Sequence, residues 1–246
     1  MYLSLLLVDV GENPDRPRPG RSWLRNRYRV HQRLCMAFPF PETVRKDPKF
    51  LEPFDPAGFR HVHGPRTVDE AFLFRVDPLL GGRVAIQVQS SIRPDWNYAF
   101  QNATFLLAAP PQVQPFDPVF TAGESLRFRL LANPTRRLSR GSAGPDGKPV
   151  DPKWIGKRVP VPFDQLQDWL NRQAEKSGFR IRELSSLHSG YLFISQGPGT
   201  YGADLFSVQY DGILEVEDPV RFQDAVVHGL GPAKGFGFGL LSVTPP

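Results

Sequence analysis

Proline and glycine punctuate this chain at a density that argues for many turns and short elements. Twenty-six prolines and twenty-two glycines are spread through 246 residues. A proline inside a helix removes a hydrogen bond and crowds the preceding turn, and one inside a central strand breaks the ladder. This pattern argues against a helical bundle and for short elements joined by many turns. With 40% hydrophobic residues it can still bury a core, and its length suits two domains of roughly 100 residues better than one.

Tyr2 to Val10 reads as a buried first strand. Its apolar run, Leu3 to Val8, is too short to cross a bilayer, lacks a basic leader and meets Asp9 at once, so it is expected to be a strand and not a signal peptide. After a polar loop from Gly11 to Gly20, a helix is expected, capped by Ser22 or Asn26 and ended near Phe38 by Pro39. On a helical wheel Trp23, Val30, Leu34, Ala37 and Phe38 share an apolar face. Arg21, Arg25, Arg29 and Arg33 recur every four residues as a basic stripe on another face, and Arg27 adds to the cluster. The stripe is either a solvated face or a phosphate-facing one, and the mutual repulsion of four like charges favours a bound anion. Tyr28 and His31, three apart, fall on the flank between the two faces. There a histidine can be half-buried, meet a substrate and move a proton near neutrality, or simply fill space at a boundary.

Residues 39–68 read as an irregular connection. His61 and His63 within it could hold a metal from a strand, but no acidic or sulfur ligands cluster nearby, so a surface loop is favoured. Ala71 to Val76 and Arg83 to Gln89 form a hairpin pattern, and Asp95 to Phe100 is a short helix or a loop. The Pro-rich run Pro110 to Pro118 marks the expected boundary between domains 1–110 and 119–246. Beyond it, Ser125 to Ala132 alternates as a half-buried strand should. Between Arg136 and Arg158 seven Lys or Arg (136, 137, 140, 148, 153, 157, 158) face two Asp (146, 151) around a glycine-rich centre. This is a finger that orders against a nucleic-acid backbone, or a floppy basic insert. Asp164 to Ser177 is an amphipathic helix, strand-like runs lie near 180–187 and 205–216, and Val220 to Val227 is a second helix. His188 near a turn is ordinary, whereas His228 is a rival proton-transfer candidate. The order β-α-β-β-α-β occurs twice, predicting an α+β chain of two tandem ferredoxin-like (RRM-like) domains.

The net charge of +5 and pI near 9.5, carried early in the chain by arginine, suit a polyanionic partner bound by planar, multi-donor guanidinium groups. The single cysteine, Cys35, excludes an internal disulfide and a Cys-rich zinc site and fits a cytoplasmic protein. Near the C-terminus, glycines at 229, 231, 235, 237 and 239 leave backbone N–H groups open to a phosphate, with Lys234 adding one charge. The dinucleotide fingerprint is not met, because no βαβ unit follows.

That Gly-x-Gly-x-x-Lys-x-x-Gly-x-Gly pattern, together with Tyr28-Arg-Val-His31-Gln-Arg-Leu34 and Ala37-Phe38, resembles the repeat-associated RNA-binding proteins of CRISPR systems, and among them the Cas6e (Cse3, CasE) family of CRISPR-RNA-processing endoribonucleases. The resemblance spans nearly the whole chain. It implies cleavage of precursor CRISPR RNA at the base of a repeat stem-loop, without metal or other cofactor, to leave a 2′,3′-cyclic phosphate (or 3′-phosphate) and a 5′-OH. By the same resemblance His31 acts in cleavage with Tyr28 assisting, and Lys157 and Arg158, in the stretch from Asn133 to Val161, bind the repeat hairpin. Arg27 stands where the family often has proline. Other Cascade subunits are the implied partners, with no membrane and no small-molecule substrate. A subunit of the same fold that binds the RNA without cutting it is the alternative.

Overall fold

A computed structural model describes residues 1–13, 15–38, 72–139, 151–195 and 202–246. They form two compact units: Met1–Val119 with Tyr191–Leu205 and Ala233–Leu240, and Phe120–Gly190 with Phe206–Pro232 and Leu241–Pro246.

In the first unit β1 (Tyr2–Asp9) runs antiparallel to β3 (Arg83–Ser90) on one side and to β4 (Gln112–Pro115) on the other. Strand β2 (Phe72–Leu79) joins β3 as an antiparallel hairpin, giving the sheet order β2-β3-β1-β4. Helices α1 (Pro19–Leu24) and α2 (Arg27–Cys35) lie between β1 and β2 in the chain, and α3 (Trp96–Phe100) lies between β3 and β4. This is the ferredoxin-like order, with the first strand inside the sheet. Alternation along β1 sends Leu6 and Val8 into a core shared with Phe74, Ile86 and Val88 of the hairpin, Val30 and Leu34 of α2, and Trp96 and Phe100 of α3.

The second unit repeats the order. Strand β5 (Ser125–Ala132) pairs antiparallel with β10 (Leu241–Thr244) and β9 (Ala203–Val216), and β8 (Phe179–Ile194) completes the sheet β10-β5-β9-β8. A two-stranded ribbon, β6 (Thr135–Arg137) and β7 (Arg158–Pro160), precedes α4 (Leu166–Lys176), and α5 (Pro219–His228) precedes β10. Helix α4 buries Leu166, Trp169, Leu170 and Ala174, and the buried hydroxyl of Tyr210 donates to the Leu166 carbonyl at 3.1 Å. Helix α5 opens with Asp218, whose Oδ1 accepts from the N–H groups of Val220 and Arg221, followed by Pro219 in the first turn.

Three expectations need correction. Of the two expected caps, Asn26 is the one that starts the helix bearing Tyr28 and His31: it leaves the helical region (φ −112°, ψ 104°) and its side chain accepts from the Tyr28 N–H, whereas Ser22 lies inside a separate short helix, α1, and α2 ends at Cys35, short of Phe38. The Pro-rich run 110–118 carries β4, an edge strand where proline is tolerated, and the first unit gives way to the second just beyond it, at Val119, but the first unit also takes Tyr191–Leu205 and the glycine-rich Ala233–Leu240, which were expected in the domain 119–246. Strand β8 is twice as long as the expected run 180–187, continuing through Ser189-Gly190 to Ile194. The irregular connection 39–68, with His61 and His63, lies outside the described residues. So does the centre of the basic insert, with Arg140 and Lys148. Among the described residues no helix is long and apolar enough to cross a membrane.

Candidate active site

Asn26 sets the start of α2, and its side chain does so with two partners. Oδ1 accepts from the N–H groups of Tyr28 (3.1 Å) and Ser195 (3.2 Å), while Nδ2 donates to the Ser195 carbonyl at 2.9 Å. From this fixed start, Val30 and Leu34 point into the core and Tyr28 and His31 are left half-buried on the flank, as their spacing predicts.

The His31 ring stacks on Phe72, with centroids 5.5 Å and planes 22° apart, and lies over Phe74 at 6.4 Å and 27°. Its Nε2 is 3.4 Å from the Cys35 thiol. Tyr28 meets Phe236 at 6.3 Å between centroids, and it shares a hydrogen bond with Gln32. Burial pushes the Tyr28 hydroxyl above its ordinary pKa; the Gln32 bond pulls it back, and nearby Cys35 adds a smaller upward push.

The glycine-rich segment reaches this helix at the turn Lys234–Phe236, bracketed by two left-handed residues, Ala233 (φ 64°) and Gly237 (φ 88°). A β carbon on Gly235 would lie 3.7 Å from Cε1 and 3.9 Å from Nδ1 of His31, and one on Gly237 only 2.9 Å from the Phe74 ring. The structure therefore brings Tyr28, His31, Gly235 and Gly237 together, with the half-buried Lys234 on the same turn. Gly229 and Gly231 have other work. The former, at φ 73°, ends α5, and the latter leaves room for Trp169, whose ring would meet an added β carbon at 3.3 Å.

The arginine stripe does not survive the break at Asn26. Arg21 turns inward, donating from Nη1 to the carbonyls of Asn13 (2.9 Å) and Arg16 (3.2 Å), and from Nη2 to those of Val10 (2.7 Å) and Gly11 (2.9 Å). Arg33 donates to the Ala99 carbonyl and Asn102 Oδ1, and burial lowers its pKa. Burial also pushes the Arg27 guanidinium down to about 10, partly offset by Asp77, which leaves it charged at neutral pH. Only Arg25 and Arg29 stay exposed.

In the second unit the β6–β7 register sets Arg136 opposite Val159 and Arg137 opposite Arg158. Two like charges facing each other across a ribbon repel, which an anion relieves. Arg137, Lys157 and Arg158 are exposed and Arg136 is half-buried. Arg158 Nη1 donates to Thr135 Oγ1 at 3.1 Å, and Lys157 Nζ sits 4.4 Å over the Trp154 ring. The rival His228 is exposed at the C-terminus of α5, its Nδ1 2.9 Å from Asp224 Oδ1; His188 lies exposed within β8. Among the described residues no three His, Cys, Asp or Glu are placed to hold a metal ion.

Sequence reasoning passed over Phe72, Phe74, Cys35 and Asn26 as parts of the site. Cys35, at i+4 from His31, had a legible signal in its spacing; the phenylalanines had none beyond hydrophobicity.

A family model described as CRISPR associated protein matches residues 1–245. Over 189 residues the chain is 34% identical to the CRISPR-associated endoribonuclease Cse3 of Thermus thermophilus, covering 72% of this chain and 81% of that one. The chain belongs to the Cse3/Cas6e family. Another relative in this family, the CRISPR system Cascade subunit CasE of Escherichia coli K12, is 25% identical over the full length of both chains. The solved structure of Thermus thermophilus Cse3 bound to an RNA representing a pre-cleavage complex matches 99% of this chain and 98% of its own with a TM-score of 0.67 and 28% identity. The Cse3/Cas6e fold is thus the tandem ferredoxin-like architecture described above.

Proposed function

We propose that the chain is an endoribonuclease that cuts precursor CRISPR RNA at the base of the repeat stem-loop, acts in the cytoplasm, and keeps its product as a subunit of Cascade. The observation that carries this reading is the placement of the His31 ring, gripped by Phe72 and Phe74, against the backbone of the glycine loop at Gly235.

Such a loop receives a phosphate through backbone N–H groups with no side chain in the way, and a half-buried histidine beside it is within reach of a proton on that phosphate's neighbours. The nucleophile comes from the substrate. The ribose 2′-oxygen bonds to phosphorus as its proton departs, the P–O5′ bond breaks with its electron pair going to oxygen, and a proton arrives on that oxygen. The products are a 2′,3′-cyclic phosphate and a 5′-OH, and no water is consumed. His31 serves one of the two proton transfers, and Tyr28 orients the sugar or phosphate. Positive charge from Lys234 stabilises the pentacovalent phosphorus, a contribution that is often the largest in such reactions. Because the attacking hydroxyl is already held beside the phosphorus, the reaction needs no metal to generate a nucleophile. Arg25, Arg29, Arg136, Arg137, Lys157 and Arg158 neutralise the RNA backbone and make binding salt-sensitive.

The deciding experiment is cleavage of a repeat stem-loop RNA in EDTA by the intact protein, His31→Ala and His228→Ala. Cutting by the intact protein and the His228 variant, and none by the His31 variant despite retained RNA binding, is the expected result. An intact protein that binds the hairpin but never cuts it would make this a binding subunit.

A further inference from the structure

Two large aromatic side chains project into solvent close to the candidate site. Tyr191 is 64% exposed and Phe193 46%. Both lie near the end of β8, the outermost strand of its sheet. Two residues apart on a strand, they point to the same face, with about 6.7 Å between them along the strand. Leu192 and Ile194, which alternate with them, are half-buried, so the strand is seated here and presents its aromatic face outward. Phe193 rests on bare backbone: a β carbon on Gly202 would lie only 2.3 Å from its Cε2 and 2.5 Å from its Cζ. Among the described residues no other ring stacks on it. Two residues further on, the strand is tied to the helix that bears Tyr28 and His31. The Ser195 N–H donates to Asn26 Oδ1 at 3.2 Å and its carbonyl accepts from Asn26 Nδ2 at 2.9 Å, while the same Oδ1 caps α2 at Tyr28. Exposed Arg25 precedes Asn26, and exposed Arg29 stands in the first turn of α2. All these residues belong to the first unit.

We propose that Tyr191 and Phe193 are a stacking platform for unpaired bases of the RNA beside the scissile bond, and so act as positioning residues for the cut. The inference rests on the RNA-cleaving reading given above. A cut at the base of a stem falls where paired nucleotides give way to unpaired ones, and unpaired bases are the ones free to splay out onto an aromatic ring. Aromatic rings take any base by its π-face, while neighbouring cations track the backbone; Arg25 and Arg29 supply that charge next to the platform. The spacing of the two side chains is twice the interval of about 3.4 Å between successive nucleotides of a stacked strand, so the rings can engage bases of one continuous strand. Because Asn26 fastens both the end of β8 and the start of α2, a base held on the platform sets which phosphate is offered to the helix that carries Tyr28 and His31. A protein partner would also cover exposed aromatics, but the adjacent arginines and the tie to the α2 cap favour RNA.

The test is equilibrium binding of the full chain to repeat hairpins made uncleavable by a 2′-deoxy sugar at the scissile position, one with its single-stranded flanks intact and one with abasic flanks of equal length. Wild type is expected to bind the intact flanks more tightly by at least the value of one stacked base, roughly 5- to 150-fold. Phe193→Ala and Tyr191→Ala are each expected to lose affinity within that range on the intact flanks and to match wild type on the abasic ones. Phe193→Tyr and Tyr191→Phe keep wild-type affinity, and the salt slope is unchanged in all four because no phosphate contact is lost. Equal binding of intact and abasic flanks by wild type overturns the proposal, and that comparison needs no variant to fold. So do alanine variants that bind the intact flanks as wild type does; if these also fail to join other Cascade subunits, the face is a protein-docking surface. If wild type binds the flanked hairpin but never cuts it when the sugar is unmodified, the cleavage reading fails, and the flank comparison still decides the platform.

Discussion

At Gly237 a single methyl group has a large consequence for the loop. Its φ of +88° lies in the left-handed region, which costs an L-residue about 1–2 kcal/mol. A β carbon there would also stand 2.9 Å from Cε2, 3.3 Å from Cζ and 3.4 Å from Cδ2 of Phe74. Phe74 is fully buried and lies under His31, so the ring cannot move aside cheaply. Overpacking of this kind costs about 1–3 kcal/mol, and the reduced freedom of the unfolded chain returns about 0.4–1 kcal/mol. The net loss for Gly237→Ala is about 1–4.6 kcal/mol, which at roughly 2–4 °C per kcal/mol for a chain of this size lowers the melting midpoint by roughly 2–18 °C. Gly235→Ala is the matched control. That position is outside the left-handed region, and its methyl would make ordinary contact, 3.7 Å from His31 Cε1. It should melt close to wild type yet cut poorly, because the methyl occupies the surface proposed to receive the RNA. Thermal unfolding followed by circular dichroism, with single-turnover cleavage on the same preparations, separates the two. A Gly237→Ala protein melting within a degree of wild type, or a Gly235→Ala protein falling as far, refutes the reasoning.

Arg21 and Arg29 should part company although both belong to the same sequence stripe. Arg21→Ala removes a guanidinium that holds four loop carbonyls and should lower stability by about 1–3 kcal/mol in urea titrations with the salt dependence of RNA binding unchanged. Exposed Arg29, changed to Ala, should leave stability alone and reduce the slope of log K against log salt by about one. Asp211 gives a pH test. Partial burial pushes its carboxyl up, but bonds from Arg129, Gln209 and Ser186 outweigh this and hold it below the ordinary range. A depressed folded pKa stabilises above the unfolded value near 3.9, and the benefit is lost as pH falls below it. The stability gap between wild type and Asp211→Asn should therefore be present at pH 7 and close below about pH 4. Tyr210→Phe leaves the Leu166 carbonyl without its buried partner and should cost about 1–2 kcal/mol by the same titration.

Much of this molecule was legible where the cause is local. An apolar run gave β1, alternation gave β5, paired strand runs gave the β2–β3 hairpin, and the apolar face of 164–177 gave α4. A spacing of three placed Tyr28 and His31 on the half-buried flank. What failed depends on partners distant in sequence. The four-residue spacing of arginines looked like one helix face, but loop carbonyls at 10–16 claimed Arg21, and Asn26 found Ser195, 169 residues away. No local rule sends the turn at Lys234–Phe236 to a helix two hundred residues earlier, or distinguishes Gly237, packed on Phe74, from Gly231, packed on Trp169.

Phe74 ties two selective pressures to one ring. It fills the core of the first unit, backs the imidazole of His31 and bounds the space behind Gly237. The interval between the His31 ring and the loop is thus gauged by the thickness of a core side chain. A substitution such as Phe74→Leu, mild by the standards of folding, changes that interval. With His31 in the proposed role, drift in this part of the interior is policed by the reaction as well as by stability, so sequences that can fold this way outnumber those that can fold this way and cut.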